Sequence, residues 1–153
     1  MVTAAALLGA TEELTQLLQH FRLQPEQLTD AWCRAARVGQ VPILEELQRY
    51  GVALTVTDEY GMTAGHWAAR GNQPTVLQWL HKHGVALDPR DDAGETPLHM
   101  AAENNAFDCV TVLLAHGADP TVANKDGHTP LRIAQDFGFS AVVALLEAAI
   151  GKN

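Results

Sequence analysis

Residues 91–102 read Asp-Asp-Ala-Gly-Glu-Thr-Pro-Leu-His-Met-Ala-Ala, and related lines begin 33 residues to either side. Residues 58–69 read Asp-Glu-Tyr-Gly-Met-Thr-Ala-Gly-His-Trp-Ala-Ala, and residues 124–135 read Asn-Lys-Asp-Gly-His-Thr-Pro-Leu-Arg-Ile-Ala-Gln. Self-similarity at a fixed period of about 20 to 50 residues indicates repeated structural units that stack on one another. The sequence therefore predicts a stack in which each unit of 33 residues folds alike.

The positions that keep this period are residues with special backbone roles. They form four sets with this spacing, two of glycine, one of threonine and one of alanine: Gly61, Gly94 and Gly127; Gly51, Gly84 and Gly117; Thr63, Thr96 and Thr129; Ala68, Ala101 and Ala134. Glycine in an Asp- or Asn-rich turn supplies positive φ, and threonine followed by proline suits the start of a helix. Each unit is therefore predicted to contain a tight turn followed by a helix.

Two helices per unit are predicted from the residues after each turn. The first helix is expected to end at a residue that tolerates the left-handed conformation, namely Gly39, Asn72, Asn105 and Gly138 in successive units. A second helix then carries a buried apolar stripe, for example Val76, Leu77 and Leu80.

The intact Thr-Pro-Leu-His at residues 96–99 and Leu-Leu-x-x-Gly-Ala-Asp at residues 113–119 resemble the ankyrin repeat. The resemblance covers nearly the whole chain as five units, 1–24, 25–57, 58–90, 91–123 and 124–153, with the first two degenerate. In the first unit, Ala5-Ala6, Gly9 and Leu14 keep the helical spacing. The resemblance implies one all-α domain, residues 1–153, an ankyrin-repeat solenoid of paired antiparallel helices with short β-hairpin turns.

Composition excludes several classes of protein. The net charge of −8 and scattered basic residues disfavour nucleic-acid binding. No apolar stretch approaches the roughly 20 residues that span a bilayer, so no membrane association is predicted. Cys33 and Cys109 resemble buried small residues rather than a disulfide framework, which suits a reducing compartment. We expect a cytoplasmic protein, with the nucleus left open.

Catalytic, metal and cofactor sites find no support in the sequence. It contains no nucleophile elbow, phosphate-binding loop or His-Glu-x-x-His helix. By the resemblance, His66 and His99 bind the backbone of the neighbouring turn. Stacking could bring His83 and His116 within reach of a shared ion, but no cysteine or carboxylate completes a ligand set. We therefore predict no catalytic residue, no metal ion and no cofactor.

Aromatic residues suggest both packing and binding roles. Trp67 occupies a position where other units carry apolar residues, so it is expected in the core. Trp32 is expected to fill the space left at Gly65, where the repeat pattern has leucine. Tyr60 and Met62 flank Gly61 on a turn expected to be exposed, where binding and ordinary turn packing both remain open.

By the resemblance, the turn tips and the exposed side of each first helix line a concave groove that binds other proteins. The residues assigned to it by register are Arg34, Arg37, Tyr60, Met62, Arg70, Asp92, Glu95, Glu103, Asn104, Lys125, His128 and Asp136. Its charge runs from basic in the early units to acidic in the middle one. This arrangement suits a partner with an acidic end, an apolar centre and a basic end.

The predicted function is a non-catalytic protein–protein interaction scaffold or adaptor. The alternatives are a regulatory subunit or inhibitor of an enzyme, and the ankyrin segment of a larger multidomain protein. The last helix has an outer side made mostly of alanine between Ala141 and Ile150. A terminal repeat needs a polar outer face, so we expect either weak self-association there or further sequence beyond Asn153.

Overall fold

The computed structural model describes residues 1–8 and 10–152, with side chains described for residues 1–5 and 10–152. The first-unit pattern includes Ala6 and Gly9. The side chain of Ala6 and the whole of Gly9 lie outside the described residues. Within the described residues there are ten helices: α1 (Val2–Leu8), α2 (Thr11–His20), α3 (Pro25–Val38), α4 (Val41–Tyr50), α5 (Ala64–Arg70), α6 (Pro74–Lys82), α7 (Pro97–Glu103), α8 (Phe107–Ala115), α9 (Pro130–Phe137) and α10 (Ser140–Gly151).

The helices form two layers. The odd-numbered helices α1, α3, α5, α7 and α9 pack in one row, and the even-numbered helices pack in a second row behind them. Each odd helix is joined to its even partner by a short connection, as in an antiparallel helical hairpin. The prediction of an all-α ankyrin solenoid is confirmed. None of the helices in the described part of the chain is long and apolar enough to span a membrane.

The turns that precede α5, α7 and α9 follow the sequence prediction. Gly61, Gly94 and Gly127 have φ of +74°, +76° and +80°. Adjacent turns are linked, because the Asp92 N–H donates to the carbonyl of Tyr60 at 3.0 Å, and that of Lys125 to Ala93 at 2.9 Å. No β-strand occurs in residues 1–8 and 10–152. The connections expected to be β-hairpins are therefore tight turns without strands.

Both ends of the first helices are confirmed. Thr63, Thr96 and Thr129 are the N-cap residues of α5, α7 and α9. The expected left-handed residues have φ of +81° at Gly39, +51° at Asn72, +52° at Asn105 and +73° at Gly138. The unit that lacks the turn motif begins instead with α3, which has 14 residues and is capped by Gln24.

Trp32 is fully buried, as expected, but it is not among the nearest neighbours of Gly65. A Cβ atom at Gly65 would meet Pro97 Cγ at 3.4 Å and Thr63 Oγ1 at 3.5 Å, with no Trp32 atom among its three nearest neighbours. Trp32 instead packs against Trp79, with ring centroids 6.2 Å apart. The atoms nearest to that position thus belong to its own repeat and to the proline of the next repeat, which does not favour the expected exchange.

The outer side of α10 has the predicted composition. Val142 and Leu146 are buried, and Val143, Leu145 and Ile150 are half-buried. The exposed positions include three alanines, Ala141, Ala144 and Ala148, and Ala149 is half-buried. This side of the helix is therefore smooth and weakly apolar.

Candidate partner-binding site

Two buried histidines connect successive repeats. The Thr63 N–H lies 3.1 Å from Nδ1 of His66, and Nε2 of the same ring lies 3.0 Å from the carbonyl oxygen of Glu95. His99 makes the same contacts to Thr96 and, at 3.1 Å, to the carbonyl of His128. A carbonyl only accepts, so Nε2 carries the proton and Nδ1 accepts. The predicted contact to the neighbouring turn is confirmed.

Both rings are held neutral by their surroundings. Burial lowers the pKa of His66 and of His99 below the ordinary value. The hydrogen bond from each ring to a backbone carbonyl raises the pKa, but by less than burial lowers it. A proton added at Nδ1 would also face the N–H that this nitrogen accepts. These two histidines therefore serve as connectors between repeats.

The other histidines and the cysteines form no constellation of three or more metal ligands within the described residues. His116 stacks on His81, with ring centroids 3.9 Å apart, whereas His83 lies against Trp79. His83 Nδ1 lies 2.8 Å from the carbonyl oxygen of Trp79 one helical turn earlier, so this ring nitrogen is engaged within its own repeat. Burial raises the pKa of both Cys33 and Cys109 to about 12, so neither thiol is ionised near neutral pH.

Most of the predicted groove residues lie at the surface. Exposed side chains are found at Arg34, Arg37, Tyr60, Arg70, Asp92, Glu103, Asn104, Lys125, His128 and Asp136, while Glu95 is half-buried. Glu95 accepts a hydrogen bond from Asn124 at 2.9 Å, which ties it to the next turn. Its carboxylate is therefore partly engaged in holding the repeats together.

The prediction that Met62 lines the groove was wrong, because its side chain belongs to the hydrophobic core and is only 6% exposed. Its N–H donates to Asp58 Oδ1 at 2.9 Å, and its carbonyl accepts from the Asp58 N–H at 3.0 Å. These bonds close the turn over Gly61 and direct the chain back into the stack. Met62 is therefore not available to a partner, whereas Tyr60 is 62% exposed.

The expectation that Trp67 lies in the core holds only in part. Its side chain packs against the core but is half-buried, and it borders two clefts. Its indole N–H donates to Asp58 Oδ2 at 2.9 Å. The guanidinium carbons of Arg37 and Arg70 lie 5.9 and 5.5 Å from its ring centroid, within cation–π range.

A single carboxylate organises this region. Asp58 Oδ1 accepts from the backbone N–H groups of Tyr60 and Met62, both at 2.9 Å, while Oδ2 accepts from Trp67. The equivalent residues Asp91 and Asn124 make the two backbone bonds of their own turns. The bond to an indole is the additional contact of this repeat.

An open cleft of about 650 Å³ lies between Trp67 and Tyr60 on one side and the first turns of α3 on the other. Its remaining lining includes the acidic residues Glu26, Asp30, Asp58 and Glu59. A smaller pocket of about 100 Å³ lies beside it, between Trp67 and the side chains of Arg34 and Arg37. Trp67 thus lies between the acidic lining of the larger cleft and the two arginines, and Asp30 lines both spaces.

Charges also change along the stack. Residues 37, 70, 103 and 136, one repeat apart, are Arg, Arg, Glu and Asp, and all four are exposed. Asp136 pairs with Arg132 at 2.8 Å, and Arg34 pairs with Asp30 at 2.9 Å. No ion pair of Arg37, Arg70 or Glu103 occurs in the part of the chain that the structure describes.

The sequence contains an indication that position 67 is less buried than position 100, and comparison by repeat register did not use it. Positions 34, 67, 100 and 133 correspond, and their residues are Arg, Trp, Met and Ile. An arginine at the first of these positions indicates that the row is exposed at the early end of the stack. The side chains change accordingly from exposed at Arg34, through half-buried Trp67, to buried Met100 and Ile133.

The comparison with protein families agrees with this architecture. The family model described as ankyrin repeats (3 copies) matches residues 32–124 and, again, residues 91–153. The chain belongs to the ankyrin repeat family. Members of this family generally serve as non-catalytic protein–protein interaction modules. A search of curated proteins found no match to the sequence.

Proposed function

We propose that this chain is a non-catalytic scaffold or adaptor that binds another protein through its concave groove, around Tyr60 and Trp67. The observation that carries the proposal is the pair of accessible aromatic side chains at the edge of an open cleft. Tyrosine, tryptophan and arginine are the residues most enriched at the centres of protein interfaces, and all three meet here.

The stack suits this role because it presents the groove on a fixed frame. The histidine bonds and the bonds between turns connect neighbouring repeats through backbone atoms. A partner that binds a rigid surface loses less free energy to ordering than one that binds a flexible loop. The charge row supports a partner whose acidic part faces Arg37 and Arg70 and whose basic part faces Glu103.

Affinity capture from native lysate tests the proposal when three forms of the protein are compared. The wild type should retain a specific protein that a Tyr60→Ala/Arg37→Glu groove variant loses. A control variant, Arg49→Gln/Lys82→Gln, changes two residues of the outer helices α4 and α6 that also lie one repeat apart. A protein retained by the groove variant but lost by the control would place the binding surface on the outer layer and contradict the proposal.

Two other roles use the same surface. An inhibitor or regulatory subunit would occlude an enzyme from this groove, and an activity assay on the captured partner separates that role from simple scaffolding. An ankyrin segment of a multidomain protein would act likewise, and the full reading frame separates that case. The buried, protonated thiols suit a reducing compartment such as the cytoplasm.

Weak self-association through α10 is a second proposed interaction. The exposed Ala148 and the half-buried Ala149 of this helix line an open cleft together with Leu114 and Leu145, among others. Small side chains permit close approach of a second helix, although each buries little apolar area.

A further inference from the structure

Two positive charges of the groove have no carboxylate partner. Arg34 is neutralised by Asp30 at 2.9 Å, whereas neither Arg37 nor Arg70 takes part in any ion pair or side-chain hydrogen bond of the described residues. Both guanidinium groups lie on the indole of Trp67, and we call Arg37, Trp67 and Arg70 the Trp67 cluster. Two like charges gathered at one ring attract an anion that lies between them.

The indole at the centre of the cluster is held before any partner arrives. The Asp58 carboxylate accepts from the indole N–H at 2.9 Å, and the same carboxylate closes the turn that carries Tyr60. The guanidinium groups of Arg37 and Arg70 lie within cation–π range of this ring, and their N–H donors have no partner among the described residues. A guanidinium presents paired donors that match the two oxygens of a carboxylate.

The surroundings select the kind of anion. Asp30, Asp58 and Glu59 border the adjoining cleft, and the whole chain carries a net charge of −8. A nucleic acid places a phosphate every few ångströms along its backbone, so it would meet these carboxylates as well as the arginines. An isolated carboxylate on a peptide avoids that repulsion and leaves its apolar neighbours free to contact Trp67 and Tyr60.

We propose that the Trp67 cluster is the anchor for a single aspartate or glutamate side chain of a protein partner. This inference rests on the proposed function and deepens it, because it names the chemistry that the groove recognises. In this proposal Arg34 keeps its ion pair with Asp30, and Arg37 and Arg70 contact the anion.

A random peptide display library provides the probe, with the full chain as bait. Peptides selected on the wild type are synthesised with a fluorescent label, and their dissociation constants are measured by anisotropy. Each peptide is tested on the wild type, on Arg37→Gln/Arg70→Gln and on Tyr60→Ala. The matched control is Arg49→Gln/Lys82→Gln. It also removes two positive charges that lie one repeat apart, but from exposed positions of α4 and α6.

We expect the selected peptides to be enriched in Asp and Glu. Loss of both cluster arginines should weaken binding about tenfold or more, as for removal of a charge-assisted contact, whereas the control should stay within about twofold. Replacing the critical acidic residue of the peptide by its amide should weaken binding to the wild type by a similar factor. That replacement should have little effect on binding to the Arg37→Gln/Arg70→Gln variant.

Three results would overturn the inference. Peptides without acidic enrichment, or acidic peptides that bind the double arginine variant as well as the wild type, contradict it. If such peptides lose binding to Tyr60→Ala, the groove remains the binding surface and only the anion anchor fails. Tighter binding of an oligothymidylate than of any peptide would assign the cluster to nucleic acid, and a selection without binders would contradict both proposals.

Discussion

Nε2 of His66 lies 3.0 Å from the carbonyl oxygen of Glu95, which belongs to the next repeat. His99 repeats the contact to His128, so two buried imidazoles connect three successive repeats. Each connection needs a neutral ring that donates from Nε2 and accepts at Nδ1. The stability of the stack is therefore linked to the protonation of these two histidines.

Stability should fall on mild acidification. Burial lowers the folded-state pKa of both histidines, while in the unfolded chain they titrate near 6.5. Above that pH both states are neutral, and the free energy of unfolding has no contribution from these protons. Below it the unfolded state binds protons that the folded state excludes, so stability decreases until the folded-state pKa is reached.

Urea unfolding between about pH 5 and 8 measures this dependence. A His66→Gln/His99→Gln variant should be less stable than the wild type at pH 8 but should show a shallower decrease as the pH falls. His20→Gln, at an exposed position, is the control and should keep the slope of the wild type. An unchanged slope in the double variant would contradict the linkage.

Gly71 should not tolerate a side chain. Its φ of −88° is ordinary, but a Cβ atom there would overlap the carbonyl oxygen of Arg37 in the preceding repeat. Gly71→Ala should therefore destabilise by about 1–3 kcal/mol, the range for overpacking. Gly151→Ala is the matched control, because no atom lies within 4 Å of that position, and it should change stability little. Equal melting temperatures for the two variants would contradict the close approach.

Trp32→Ala should destabilise by about 3–5 kcal/mol, because the side chain is fully buried against Trp79. Adding Gly65→Leu should not recover the loss, since Pro97 and Thr63 already border that position. Chemical denaturation of the single and double variants measures both effects. Recovery of stability in the double variant would show that the two sites share one space.

Asp58→Asn should release the indole of Trp67 while keeping the turn. Asn124 makes the equivalent backbone bonds in its own repeat, so asparagine is compatible with this turn. The lost bond is charge-assisted, and we expect a cost of about 1.5–3 kcal/mol. In the ¹H–¹⁵N spectrum the Trp67 indole resonance, assigned with Trp67→Phe, should move while those of Trp32 and Trp79 stay. Coincident indole spectra for the wild type and Asp58→Asn would contradict the assignment.

Sedimentation tests the proposed contact through α10. The wild type should show a concentration-dependent sedimentation coefficient that an Ala144→Glu/Ala148→Lys variant lacks, because both alanines are exposed. Charged side chains placed there would have to be desolvated in a helix–helix contact. A concentration-independent monomer for both proteins would remove the support for self-association.

The repeat period was enough to predict the helix pairs, the turns and the caps, because each of these depends on residues within one unit. The left-handed residues Gly39, Asn72, Asn105 and Gly138 show this. The histidine contacts between repeats were predicted from the resemblance to the ankyrin repeat. The positions of Met62 and Trp67 depend instead on contacts between units and on a side-chain bond to Asp58. Register treats equivalent positions alike, so it could not show that position 67 is half-buried while position 100 is buried.

The histidine connectors bind carbonyl oxygens, and a carbonyl oxygen is present whatever the residue that bears it. Glu95 and His128 have different side chains, yet their backbone carbonyls accept the same hydrogen bond from the preceding repeat. A gene duplication that copied one 33-residue unit in frame would therefore supply both halves of the new junction without any compensating substitution. Such a connection lets a lineage lengthen or shorten the stack while the side chains of the groove diverge independently.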